Sequence, residues 1–194
     1  MSQKTESALE NAENEKSVID QTVDRGKEFY EETDLPLEMG AKYGVAAYAV
    51  TFVLTAVYFE VAFSFFSFGS FGISLFGLVP LMVLTGAGYF TAKKHGFDDT
   101  KNNVLTGMLV SIGYIPASIL GSILLGALMA GPFMGAAVGF TAGGIITPPI
   151  FGAVGGYVDY DLSKSDRNRE EIEKYFGIAT AVVFLLSLAL ALAS

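Results

Sequence analysis

The 194 residues contain no cysteine and no tryptophan, and His95 is the single histidine. Without cysteine there is no disulfide and no thiolate nucleophile. One histidine cannot supply the His-Glu-x-x-His zinc motif. It also falls outside the apolar runs, where an intramembrane Ser-His hydrolase would need it. No aspartate lies within such a run either, so the paired aspartates of an intramembrane protease are missing. There is no Walker loop. The Gly-x-Gly of "TGAGYF" ends an apolar run with no phosphate-binding helix after it. The expectation is therefore no catalytic residues, no cofactor, no metal and no enzyme.

Charge is scarce as well. Charged residues make up 16% of the chain, against about 25% in an average soluble domain, and mean hydropathy is +0.48. The charge is also segregated: residues 1–39 hold eleven acids and four bases, the remainder nine acids and eight bases. An acidic pI near 4.6 argues against a nucleic-acid partner, because phosphate contacts need Lys and Arg. An acidic tail suits a salt-filled cytoplasm, which makes a halophilic source an expectation. The start "MSQKTESALE" lacks the basic segment and apolar run of a signal peptide.

What the chain has in abundance is long apolar runs. Five are long enough to cross a bilayer, at about 43–66, 71–92, 104–130, 133–158 and 175–193, given that a span needs ~20 residues. The expected fold class is therefore all-α: a polytopic membrane domain over 41–194, with five transmembrane helices and the lipid bilayer as its main partner. Residues 1–40 form an acidic cytoplasmic tail, disordered or loosely helical, which a cytoplasmic protein partner could order. All twelve Lys and Arg fall before the first span, between the second and third, or between the fourth and fifth. Five alternating spans put those three regions on one side, so the positive-inside rule predicts a cytoplasmic N-terminus and an external C-terminus in the cell membrane. Tyr43, Tyr89, Tyr157, Tyr160 and Tyr175 fall at the cytoplasmic ends, as interfacial tyrosines do.

The connections carry local signals. In "YFTAKKHGFDDTKNN", Gly96 suits a left-handed helix cap and Asp98, Asp99 or Thr100 can cap the next helix. His95 there reads as a solvated cap residue in preference to a proton switch. Ser163 or Ser165 is the expected cap of a helix running into the last span. Asp159 and Asp161 are too few for a calcium site.

Small residues four apart allow helices in lipid to approach closely. Gly113, Ala117 and Gly121 line the third span, and Gly135, Gly139, Gly143, Gly152 and Gly156 line the fourth. These ladders predict an antiparallel hairpin within the chain; the alternative is a homo-oligomer interface. Pro148 and Pro149 are expected to interrupt the fourth span, leaving carbonyls for Thr147 or water to satisfy. Pro80 and Pro116 mark further kinks. Glu60 is the only charge between Lys42 and Lys93, and it lies ~27 Å along a helix from Lys42, near the external interface. The segment "TGAGYFTAKKHGFDDTKNNVLTGMLVSIG" resembles small polytopic proteins of halophilic archaea. That resemblance implies a membrane location and no particular activity. The leading expectation is an anchoring, assembly or interaction role. The alternative is a small transporter or channel subunit using Glu60, Thr147 and the Pro148–Pro149 break.

Overall fold

Pro36 stands one residue ahead of the first helix, where its missing N–H costs nothing, and its carbonyl accepts the Gly40 N–H at 3.0 Å. The computed structural model describes residues 35–64, 75–128, 134–165 and 167–193, with the backbone alone at 62–64, 124–128 and 134–144. The tail over 1–34, the phenylalanine cluster after Ser64, and the turns at 67–70 and 131–132 lie outside the described residues.

The described elements are all helical. They are α1 (Leu37–Ser64), α2 (Leu78–His95), α3 (Thr100–Met108), α4 (Val110–Leu128), α5 (Met134–Lys164) and α6 (Arg169–Ala193). Helix α1 starts before the expected boundary at 41, and the exposed Glu38–Lys42 pair at 2.6 Å sits in its first turns. Three stretches are long and apolar enough to cross a membrane: Leu37–Val61, Thr100–Ile123 and Arg169–Ala193. The second and fourth expected spans are also helices, α2 and α5, but are not among those three.

Most hydroxyl side chains on these apolar helices are satisfied locally. Thr55, Thr85, Thr91, Ser111, Ser118, Ser122 and Ser187 each donate to a carbonyl three or four residues earlier. A hydroxyl that bonds its own helix can sit in apolar surroundings without a partner from elsewhere.

The turn between α2 and α3 follows its sequence signals. Gly96 adopts φ 73° and ψ 50° and returns its N–H to the Ala92 carbonyl at 2.9 Å. Asp99 caps α3 by accepting the Asn102 N–H at 2.9 Å. The expected serine caps are corrected. Helix α5 runs on to Lys164, so Ser163 and Ser165 donate back to Tyr160 and Leu162, while Ile172 N–H returns to Asn168 at the start of α6.

The expected fourth span is not interrupted at its prolines. Helix α5 is continuous for 31 residues with Pro148 and Pro149 inside it. Pro80 falls in the first turn of α2, where a missing N–H is harmless, and Pro116 lies within α4. The discontinuity comes instead at Leu109. Its N–H is shared between the Leu105 and Thr106 carbonyls at 3.2 Å each, and Ile112 N–H turns back to Leu109 at 3.0 Å. The cause is a change of partner along the expected third span. Below the break, Gly107 is pressed against Gly152 and Gly156 of α5; above it, Gly113 is pressed against Ala41 of α1 and Gly121 against Tyr48.

These contacts fix the helix directions. Gly40 meets Leu109 and Tyr48 meets Gly121, so α1 and α3–α4 are parallel. Gly107 meets Gly152 while Gly156 meets Asn103, so α3 and α5 are antiparallel. Tyr58 stacks on Phe76 at 4.3 Å, joining the end of α1 to the start of α2. Ala191 packs with Phe76 and Val79 at that same end, and Lys93 pairs with Glu173 at the other, so α2 and α6 are antiparallel. A second apolar cluster of Ala47, Leu84, Ala87, Val110 and Tyr114 fills the middle.

Candidate functional site: a charge cluster at one end of the bundle

The polar residues expected to form a site do not converge. Glu60 faces outward on α1, on the stripe that also exposes Val53 and Val57. Pro148 is buried, and Thr147 and Pro149 are half-buried, on α5. Among the described residues, α1 packs chiefly on α4 and α2, and α5 on α2, α3 and α4. Of the ladder residues, Gly113, Gly121, Gly152 and Gly156 face other helices of the same chain, and Ala117 is half-buried. The surroundings of Gly135, Gly139 and Gly143 lie outside the described residues.

A different group does converge. The last two turns of α2 bring Tyr89 and Lys93, the end of α5 brings Asp159, and the first turns of α6 bring Arg169 and Glu173. Lys93 Nζ is ion-paired with Glu173 Oε1, and Tyr89 Oη donates to the same oxygen at 2.7 Å. Arg169 Nη1 lies 3.5 Å from Asp159 Oδ1, and Nη2 donates to the Asp159 carbonyl at 3.4 Å. Lys93 Nζ also sits 5.9 Å from the centre of the Tyr89 ring. Two acids and two bases thus balance at the meeting point of three helices.

Burial differs across the cluster. Asp159 is 2% exposed and is the only charged residue among the buried described ones. Its Oδ1 has no hydrogen bond. Burial therefore pushes its carboxyl above the usual carboxylate range, against the pull of Arg169 and Lys93, with Glu173 adding to the rise. Glu173 goes the other way, because hydrogen bonds from Lys93 and Tyr89 favour its charged form. Nearby, Asn103 donates to the Phe97 carbonyl at 2.8 Å, fastening the start of α3 to the turn.

Chemically, this arrangement can hold three helix ends together and bind a proton. Among the described residues no group of three or more His, Cys, Asp or Glu side chains could hold a metal. Asp161 is exposed while Asp159 is buried, so those two do not form a pair. Sequence reasoning missed the cluster because its members lie up to 84 residues apart. The available signal was the recurrence of acids and bases at the three ends that the charge pattern assigns to one side.

In comparisons with known proteins, residues 63–163, 101 of the 194, match the model of a family of unknown function, DUF7978. The match takes in Tyr89, Lys93 and Asp159 and ends before Arg169 and Glu173. No curated protein and no solved structure matches the chain.

Proposed function

We propose that this chain, which belongs to DUF7978, a family of unknown function, is a five-span integral membrane protein that anchors or assembles a partner and carries no catalytic centre. The observation that carries the reading is the separation of charge from apolar surface. Every described Lys and Arg, and every described acid except Glu60, lies at the end of the bundle where α1 begins and α2 ends. Between the ends, α1, α4, α5 and α6 turn large apolar side chains outward, among them Val53, Leu120, Ile146 and Leu185. Water does not favour so broad an apolar surface; lipid does. The alternating helix directions support α2 and α5 as the second and fourth spans, and the positive-inside rule then makes the charged end cytoplasmic.

The absence of cysteine makes the topology directly testable. In intact cells, single cysteines at Lys101→Cys and Lys164→Cys are expected to resist a membrane-impermeant maleimide, and Ser194→Cys to react. Labelling of Lys101→Cys and Lys164→Cys from opposite sides would sink the five-span reading. The anchoring role is tested by crosslinking in native membranes followed by mass spectrometry; recovery of no stable partner and no second copy counts against it. A transporter role has less support, because Glu60 is exposed on α1 while Pro148 is buried on α5. Solute or ion flux in proteoliposomes that is lost in Glu60→Gln would reverse that ranking.

A further inference from the structure

Asp159 is a buried acid, and one of its carboxylate oxygens lacks the hydrogen bonds that ionisation calls for. Its Oδ1 accepts none, and its one close cation, Arg169 at 3.5 Å, is itself 31% exposed. We propose that Asp159 is a proton-binding site coupled to the docking of α6: protonation favours the docked helix start, and ionisation favours a loosened one.

The groups facing Asp159 are few. From α2 come Lys93 and, beyond it, Tyr89; from α6 come Arg169 and Glu173. Helix α3, packed on the same side of α5 through Gly156, presents the uncharged Asn103, while its charged residues Asp99 and Lys101 are exposed. A buried carboxylate with one loose counter-ion is less stable than the same carboxylate in water. Loosening the start of α6 admits that water. The docked state therefore holds the Asp159 proton more tightly than the loosened state, and by linkage acid must favour docking.

The direction of the Asp159 carboxyl agrees, lying above the ordinary 3.8, and the transition falls above that pH. Glu173 is held below its ordinary 4.5, so its carboxylate stays charged throughout that window. Docking then depends on two ties of different kinds. The Lys93–Glu173–Tyr89 tie is constant across the window, and the Asp159 tie varies. Just beyond those first turns, Gly177 has nothing within 4 Å of where a Cβ would stand.

Spin labels at Lys94→Cys and Lys174→Cys, both exposed and outside the cluster, report the α2–α6 separation in the full chain. Double electron–electron resonance in lipid nanodiscs, from about pH 4 to about pH 8, is expected to show a narrow distance distribution at the acid end that broadens as pH rises. Asp159→Asn should remain narrow at every pH. Arg169→Gln keeps the carboxyl and removes its counter-ion; it should broaden the distribution at high pH and leave it unchanged at low pH. Broadening on acidification, a pH-independent wild type, or pH dependence that persists in Asp159→Asn would each overturn the proposal. Should Asp159→Asn fail to fold, equal broadening of Arg169→Gln at both ends of the pH range would overturn it instead.

Discussion

Gly152 is pressed against the backbone of α3, and Gly152→Ala is the substitution that measures that contact. A Cβ there would stand 3.1 Å from the Gly107 carbonyl carbon and 3.5 Å from Met108 Cα, and nearer still to the Gly107 oxygen. Carbon atoms rest at about 3.5–4.0 Å, and the obstruction is backbone, so α3 and α5 must separate. Helix α5 cannot retreat, because Gly88 of α2 is closed off by the backbone of Gly152 on the other side. Overpacking a tight site costs about 1–3 kcal/mol, and a backbone obstruction puts this one near 3. Alanine recovers about 1 kcal/mol of helix propensity, leaving a net loss of about 2 kcal/mol. Gly177→Ala is the control: it is the same substitution inside a helix with open space around it, and it should gain about 0.5–1 kcal/mol. The two variants should therefore differ by roughly 3 kcal/mol, about a hundredfold in the unfolding equilibrium. Circular dichroism of the purified full chain in mixed micelles, titrated with SDS, reads that difference. If Gly152→Ala proves as stable as Gly177→Ala, the backbones of α2, α3 and α5 do not meet there.

The remaining predictions concern the ends of the helices. A double-mutant cycle of Lys93→Gln and Glu173→Gln should give a coupling of about 1 kcal/mol, as partly exposed pairs do; zero coupling in the same titration would remove Lys93 from the tie. Glu173 should add stability that is present above its ordinary 4.5 and lost as pH falls through its lower folded value, so Glu173→Gln should flatten the acid limb of the pH–stability curve. Asp99→Ala should cost about 1 kcal/mol through loss of the α3 cap, read as faster amide exchange at Asn102.

Much of the architecture could be read from local pattern. Apolar length found the helices, and charge at the connections placed three sets of ends together. Gly96 and Asp99 announced their caps because cap chemistry is local. The serine caps failed because nothing local ended α5 at 158; its charged end stays helical while it packs into the cluster. The expected interruption at Pro148 and Pro149 is not there because a missing N–H does not by itself stop a helix whose other bonds persist, and Pro80 stands near a helix start. The break at Leu109 was invisible for the opposite reason. No residue type marks it; it arises from two different partners pulling on one apolar run. The glycine ladders were legible as contact surfaces but not as pairings: Gly113 and Gly121 face α1, and Gly107 and Gly88, which stood in no ladder, complete the contact at Gly152.

The same division explains where the molecule can respond. Glycine contacts hold α2, α3 and α5 backbone to backbone, and any shift there meets immediate overlap. The far end is held by the stacked Tyr58 and Phe76 with Ala191 against them. Helix α6 joins this frame at its two ends, and along most of its length its apolar side chains face outward. In a bilayer such contact would restrain its position weakly, since lipid and protein surfaces are equally apolar. What decides the position of its first turns is therefore the charge cluster, whose energy depends on the protonation of Asp159. A partner that touches the loop over 165–168 would act on those turns directly. The anchoring reading and the proton-linked docking of α6 thus meet at one surface, and a partner recovered by crosslinking from Lys174→Cys at high pH but not at low pH would join them.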